Sequence, residues 1–160
     1  MNEQQRLYLV QARSDWEVYQ LLKSGPVCHR LHDFQMCTEK LAKAYFWRSS
    51  NAGNLGHAAF VKFVRAIATN QSVATNLGFY NTRSFREWIK DVSDLAYELQ
   101  ALAPSLAHDG PNPEYPWPRD KPEHAPVEHD FEAWHRIQTP NGRHLWIMID
   151  KLLENFDEWF

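Results

Sequence analysis

Leu31-His-Asp-Phe-Gln-Met-Cys-Thr-Glu-Lys-Leu-Ala-Lys-Ala-Tyr-Phe46 spaces Leu31, Phe34, Thr38, Leu41 and Tyr45 three or four residues apart, which is the period of one face of an α-helix. Carried back to Val27, the same rhythm predicts a helix reaching about Trp47. Glu39 and Lys43 lie off that stripe at i,i+4 spacing and read as an outward-facing pair worth a few tenths of a kcal/mol. Upstream, Leu9, Ala12, Trp16 and Tyr19 predict a first helix from Glu3 or Gln4 to about Lys23, ended by Gly25-Pro26. So short a turn makes the two helices antiparallel neighbours.

Downstream, the Asn51-to-Gly56 loop leads to a third, shorter helix marked by His57, Val61, Val64 and Ala68, then to a polar connector from Asn70 to Thr82. Ser84-Phe-Arg-Glu87 reads as a capping box. Phe85, Trp88, Val92, Leu95, Leu99 and Leu102 then repeat as a fourth helix. Seven of the nine prolines fall between Pro104 and Pro126, where each ring removes a backbone donor and excludes regular helix. This strap, taken over residues 104–130, has Tyr115 and Trp117 as its expected anchors.

A last helical region begins near Asp130 and resumes after Thr139-Pro140-Asn141-Gly142, with Leu145, Ile149, Leu152, Phe156 and Trp159 on one face. Thr139 as N-cap before Pro140 explains that turn as well as a hairpin does, so the stretch 134–148 is open to both readings. The expectation is an all-α protein: an up-and-down antiparallel bundle of four to five helices, one domain over residues 1–160, with a long Pro-rich crossing loop before the last helix.

Cys28 and Cys37 are nine residues apart on one predicted helix, about 13 Å by helical rise, too far to bridge. Unpaired thiols, the charged first thirty residues and apolar runs of at most five residues predict a soluble chain without a signal peptide, in the cytoplasm. Charge is uneven. Residues 1–90 hold 12 Lys or Arg against 6 Asp or Glu, and residues 91–160 hold 5 against 14. The two halves either neutralise each other across packed helices or offer the basic half to a polyanion. Arg30, Lys40, Lys43 and Arg48 on helix 2, with Lys62 and Arg65 on helix 3, are the candidate phosphate-binding surface.

His29-x-x-His32 with Asp33 has one-turn metal-ligand spacing, and Glu132-x-x-His135 is a single Glu-x-x-His, but two histidines or one such motif do not make a site. The sequence calls for no metal and no cofactor. It holds no glycine-rich phosphate loop, no Gly-x-Ser-x-Gly elbow and no Cys-x-x-Cys pair, which removes the usual NTPase, hydrolase and zinc-finger classes.

The Gln35-to-Ala44 segment with Glu39-Lys40 and Lys43-Ala44, the helix before it, the helix led by His57 and the Tyr115-Pro116 strap together resemble a HEPN domain over most of residues 5–157. That resemblance implies a helical bundle, often a homodimer, acting beside a nucleotidyltransferase in toxin-antitoxin or defence systems. It also implies, in some branches, a metal-independent ribonuclease with an Arg followed four to six residues later by His. Only Arg119-Asp-Lys-Pro-Glu-His124 has that spacing. One such match is what chance provides at this composition, and its prolines keep the pair off a regular helix. The expected function is therefore binding, as a homodimer or with a nucleotidyltransferase partner, and of nucleotide or RNA; His57, facing inward toward helix 2, is expected as a hydrogen-bonded packing residue and is otherwise the candidate that lines the ligand site. A ribonuclease using Arg119 and His124, or His57 in place of one of them, is the alternative, and a small-molecule or metal-binding bundle using His29 and His32 is the third class.

Overall fold

A computed structural model describes residues 1–48 and 55–160. Within them the chain forms eight α-helices: α1 (Glu3–Leu21), α2 (Val27–Phe46), α3 (Ala59–Ile67), α4 (Gln71–Asn76), α5 (Thr82–Ala101), α6 (Pro104–Ala107), α7 (Glu132–Ile137) and α8 (Pro140–Trp159). A single 3-10 turn covers Pro126–Glu128. No strand forms among the described residues; Trp117 and His124 share one isolated bridge. Eight helices replace the expected four to five: beside four long rods of 19 or 20 residues and the expected short α3, short helices form in the polar connector (α4) and the strap (α6), and the last helical region divides into α7 and α8.

The long rods form where the apolar period runs. α1 and α2 lie against each other along their lengths, and α3 packs on both α2 and α5. α8 touches α1, α5 and α7. Leu31, Phe34 and Leu41 of α2 are fully buried, each contributing roughly 2 kcal/mol by removal from water. Phe85, Leu95 and Phe156, the inward positions expected for the later helices, are buried as well. Asn2 opens α1 with a capping box: its side chain accepts from the Gln5 N–H at 2.9 Å while the Gln5 side chain accepts from the Asn2 N–H at 3.0 Å.

Several local expectations give way. The polar connector contains α4, capped by the Asn70 side chain accepting from Val73 N–H. α5 starts two residues before Ser84. Asn81 is its N-cap, accepting from Ser84 N–H at 2.9 Å, and Glu87 faces Arg83 in an exposed pair instead of closing a box. Asn81→Ala is accordingly expected to cost about 1 kcal/mol. Glu87→Ala should cost nothing measurable in the same urea titration, whereas a box at Ser84 would make Glu87 matter.

The strap is not wholly without helix, since Pro104 occupies the first position of α6, where its missing N–H is no loss. Trp117 is a buried anchor, but Tyr115 is 60% exposed and anchors nothing. At the final turn the helical alternative is the one adopted. Thr139 Oγ1 accepts from Gly142 N–H at 3.2 Å, Pro140 begins α8, and no hairpin forms. No helix among the described residues is long and apolar enough to cross a membrane.

Candidate functional site

The largest departure from the sequence reading is Glu39, which is 4% exposed. α2 is covered by α1 on one side and by α3 on another, so the flank that period-counting assigned to solvent lies inside. Gln35, Glu39 and Lys43 form an i,i+4,i+8 row there. The Glu39 carboxylate accepts from Lys43 Nζ at 2.6 Å through Oε1 and from Gln35 Nε2 at 3.2 Å through Oε2. His57 Nδ1 also reaches Oε2, at 2.6 Å. Burial pushes this carboxyl up, but the hydrogen bonds and charges of Lys43 and His57 outweigh burial and hold it below the usual carboxylate range.

His57 precedes α3 in a turn instead of opening it. Its side chain is 43% exposed, so it is a hydrogen-bonded residue at the rim and not a core residue. With Nδ1 facing a carboxylate, Nδ1 carries the proton and Nε2 is the ring's second hydrogen-bonding atom. Tyr8 of α1 lies with its ring centre 5.9 Å from Lys43 Nζ, a cation–π contact that ties the first helix to the cluster. The expected Asn51-to-Gly56 loop beside it falls at residues 51–54 outside the described residues.

The candidate cations of α2 are mostly internal struts. Lys40 Nζ bonds Asp15 Oδ2 at 2.6 Å. Arg30 stacks over Trp134 at 4.3 Å and Tyr19 at 5.3 Å. Arg48 lies 3.8 Å from the Tyr45 ring centre and donates to its hydroxyl. Lys40 and Lys43 are thus paired with carboxylates, whereas Arg30 and Arg48 rest on aromatic rings and keep their charge. Of the cations without an acidic partner among the described residues, Arg65, Arg86 and Lys90 line a groove of about 450 Å³ between α3 and α5. Arg86 and Lys90 carried no sequence signal as site residues, because only packing sets α5 beside α3.

His29, His32 and Asp33 line a shallow pocket of about 390 Å³ with Glu114 of the strap, and His32 Nδ1 lies 3.4 Å from Glu114 Oε1. Among the described residues no group of three or more His, Cys, Asp or Glu is arranged to hold a metal. Cys28 and Cys37 are free and buried, and burial pushes the Cys37 thiol up.

The strap curls on itself around a partly open space of about 820 Å³ lined by its own residues. Asn112 builds one wall: its side-chain oxygen accepts from the N–H groups of Glu114 and Tyr115 at 3.1 and 2.8 Å, fixing the turn that carries Tyr115. His108, Tyr115, Trp117 and Arg119 line the space. Arg119 is exposed and has no acidic side-chain partner among the described residues; its backbone N–H donates to Asp109. His124 stacks on Trp117 at 5.6 Å. Arg119 thus lines the same cavity as the tryptophan that His124 stacks on, yet no hydrogen bond or ring contact joins Arg119 and His124 among the described residues. An exposed aromatic face, a buried indole and a free guanidinium around one cavity can stack a planar ring and hold an anion.

No family model, no curated protein and no solved structure matches the chain.

Proposed function

We propose that this chain is a HEPN-like helical bundle that works in the cytoplasm by binding. Its ligand is a nucleotide or a stretch of RNA, and it acts as a homodimer or beside a nucleotidyltransferase in a toxin-antitoxin or defence-type system. The observation that carries the ligand class is the strap cavity. Its volume of about 820 Å³ falls in the range of small-molecule sites, which combine apolar lining with a few convergent polar groups. Tyr115 supplies a face for a base, worth about 1–3 kcal/mol of stacking, and Arg119 supplies a phosphate partner.

Titration of the full chain with ribonucleotides and a short RNA, read by tryptophan fluorescence, tests this. Arg119→Ala and Tyr115→Ala should each weaken binding by about tenfold or more with an unchanged melting temperature, since both side chains are exposed. Absence of binding by any of these ligands, or affinity indifferent to both changes, would overturn the reading.

The ribonuclease alternative is favoured by one arrangement: Arg119 lines the same cavity as Trp117, on which His124 stacks. It predicts RNA cleavage in the presence of chelator that disappears in His124→Ala. Intact RNA after prolonged incubation removes it.

A further inference from the structure

α1 is apolar on two faces. Leu9, Ala12, Trp16 and Tyr19 enter the core, while Leu7, Val10, Val18 and Leu21 are 53%, 51%, 40% and 83% exposed. At 100° per residue, those four and Ser14 fall within a sector of about 80°. Their order is a palindrome: Leu7, Val10, Ser14, Val18 and Leu21, with spacings 3, 4, 4 and 3. A two-fold axis requires one surface to match itself when reversed, and a helix face that reads identically from both ends meets that requirement. An unrelated partner would place no such demand.

We propose that a second copy of this chain docks here, α1 against α1 in antiparallel fashion, with the two-fold axis passing beside Ser14. Leu7 then meets Leu21 of the second copy, Val10 meets its Val18, and the small Ser14 lets the backbones approach. Charge agrees with this register. In an antiparallel pair each flank faces the same flank of its mate, and the α8-side flank of this stripe holds Arg13 and Glu17. Neither has an ion-pair partner among the described residues, Arg13 donating only to the Leu153 carbonyl at 2.9 and 2.7 Å. The register brings each Arg13 within about 3 Å, in axial level, of the second copy's Glu17 and of its Arg13 alike, but Glu17 lies about 60° from the stripe's centre against about 100° for Arg13, so the opposite charge is the nearer and two such pairs form across the axis. A specific dimer buries about 800 Å² per partner, more than one helical stripe offers. The groove of about 510 Å³ between α1 and α8, lined by Glu17, Gln20, Trp146 and Asp150 among others, extends the face.

This inference deepens the homodimer part of the function proposed above and rests on it. The test is Ser14→Cys in the full chain under mild oxidation, beside Leu7→Cys, Leu21→Cys and their double variant, with mass by light scattering. Cys28 and Cys37 are buried, so the unaltered chain is the uncrosslinked control. The expected result is a covalent dimer from Ser14→Cys and from the double variant at about tenfold the yield of either flanking single, because only those pairs come within disulfide reach. Leu21→Glu should weaken self-association by about 100-fold. A dimer by scattering that does not crosslink at Ser14 overturns this face and leaves the homodimer standing. A strict monomer overturns both and leaves nucleotide binding untouched.

Discussion

Gly142→Ala is expected to destabilise the protein by about 3 kcal/mol or more and to lower its melting temperature by roughly 10 °C. A Cβ on Gly142 would lie 2.2 Å from the Arg136 carbonyl oxygen and 2.4 Å from that of Ile137. Those are backbone atoms at the end of α7, with no flexible tip to swing away. α8 begins at Pro140, directly against α7, so relief requires the last long helix to move off its neighbour, disturbing Leu145, Met148 and Ile149, all fully buried. The cap at the same turn provides the control. Thr139→Ala removes one side-chain acceptor and should cost only about 1 kcal/mol. Urea unfolding of both variants separates close approach from capping, and a Gly142→Ala change below that of Thr139→Ala would sink the steric account.

The second large effect belongs to Glu39. Replacing it with Ala leaves Gln35, Lys43 and His57 without their shared acceptor, at an expected cost of about 3 kcal/mol, moderated because Lys43 and His57 can still reach water. The pH dependence follows from the direction of its shift. The folded carboxyl is held below its ordinary range, so its contribution is complete above the unfolded pKa of about 4.3 and is lost as pH falls through the lower folded value. Urea stability measured across that acid window should fall for the natural chain. Glu39→Gln should start lower and lose less over the same window. Parallel curves for the two proteins would show that Glu39 is not the group being protonated.

How far the sequence could be read depended on the range of the interaction. The apolar stripes of α1, α2, α5 and α8 are local and periodic, and they were legible, whereas the Thr139-Pro140 turn left helix and hairpin equally open. Asn81, not Ser84, caps α5, a shift of a few residues that competing polar side chains make hard to place from sequence. Lys40 and Arg30 looked unpartnered because Asp15 and Trp134 come from other helices, which spacing does not display, whereas the ring under Arg48 belongs to Tyr45, three residues earlier. His57 was legible as a candidate residue, but its carboxylate, 18 positions earlier in the chain, was assigned to solvent.

The sequence by itself determined that this chain is helical and where its long rods run, because each needs one continuous apolar face and the period of that face is written in neighbouring residues. Tertiary structure alone decided which polar groups went inside. Glu39 is buried because α1 and α3 close over two sides of α2, and Arg119 faces a cavity because the strap folds back around Asn112. Burial and pairing are properties of surfaces brought together from distant parts of the chain, and no local period records which surfaces will meet.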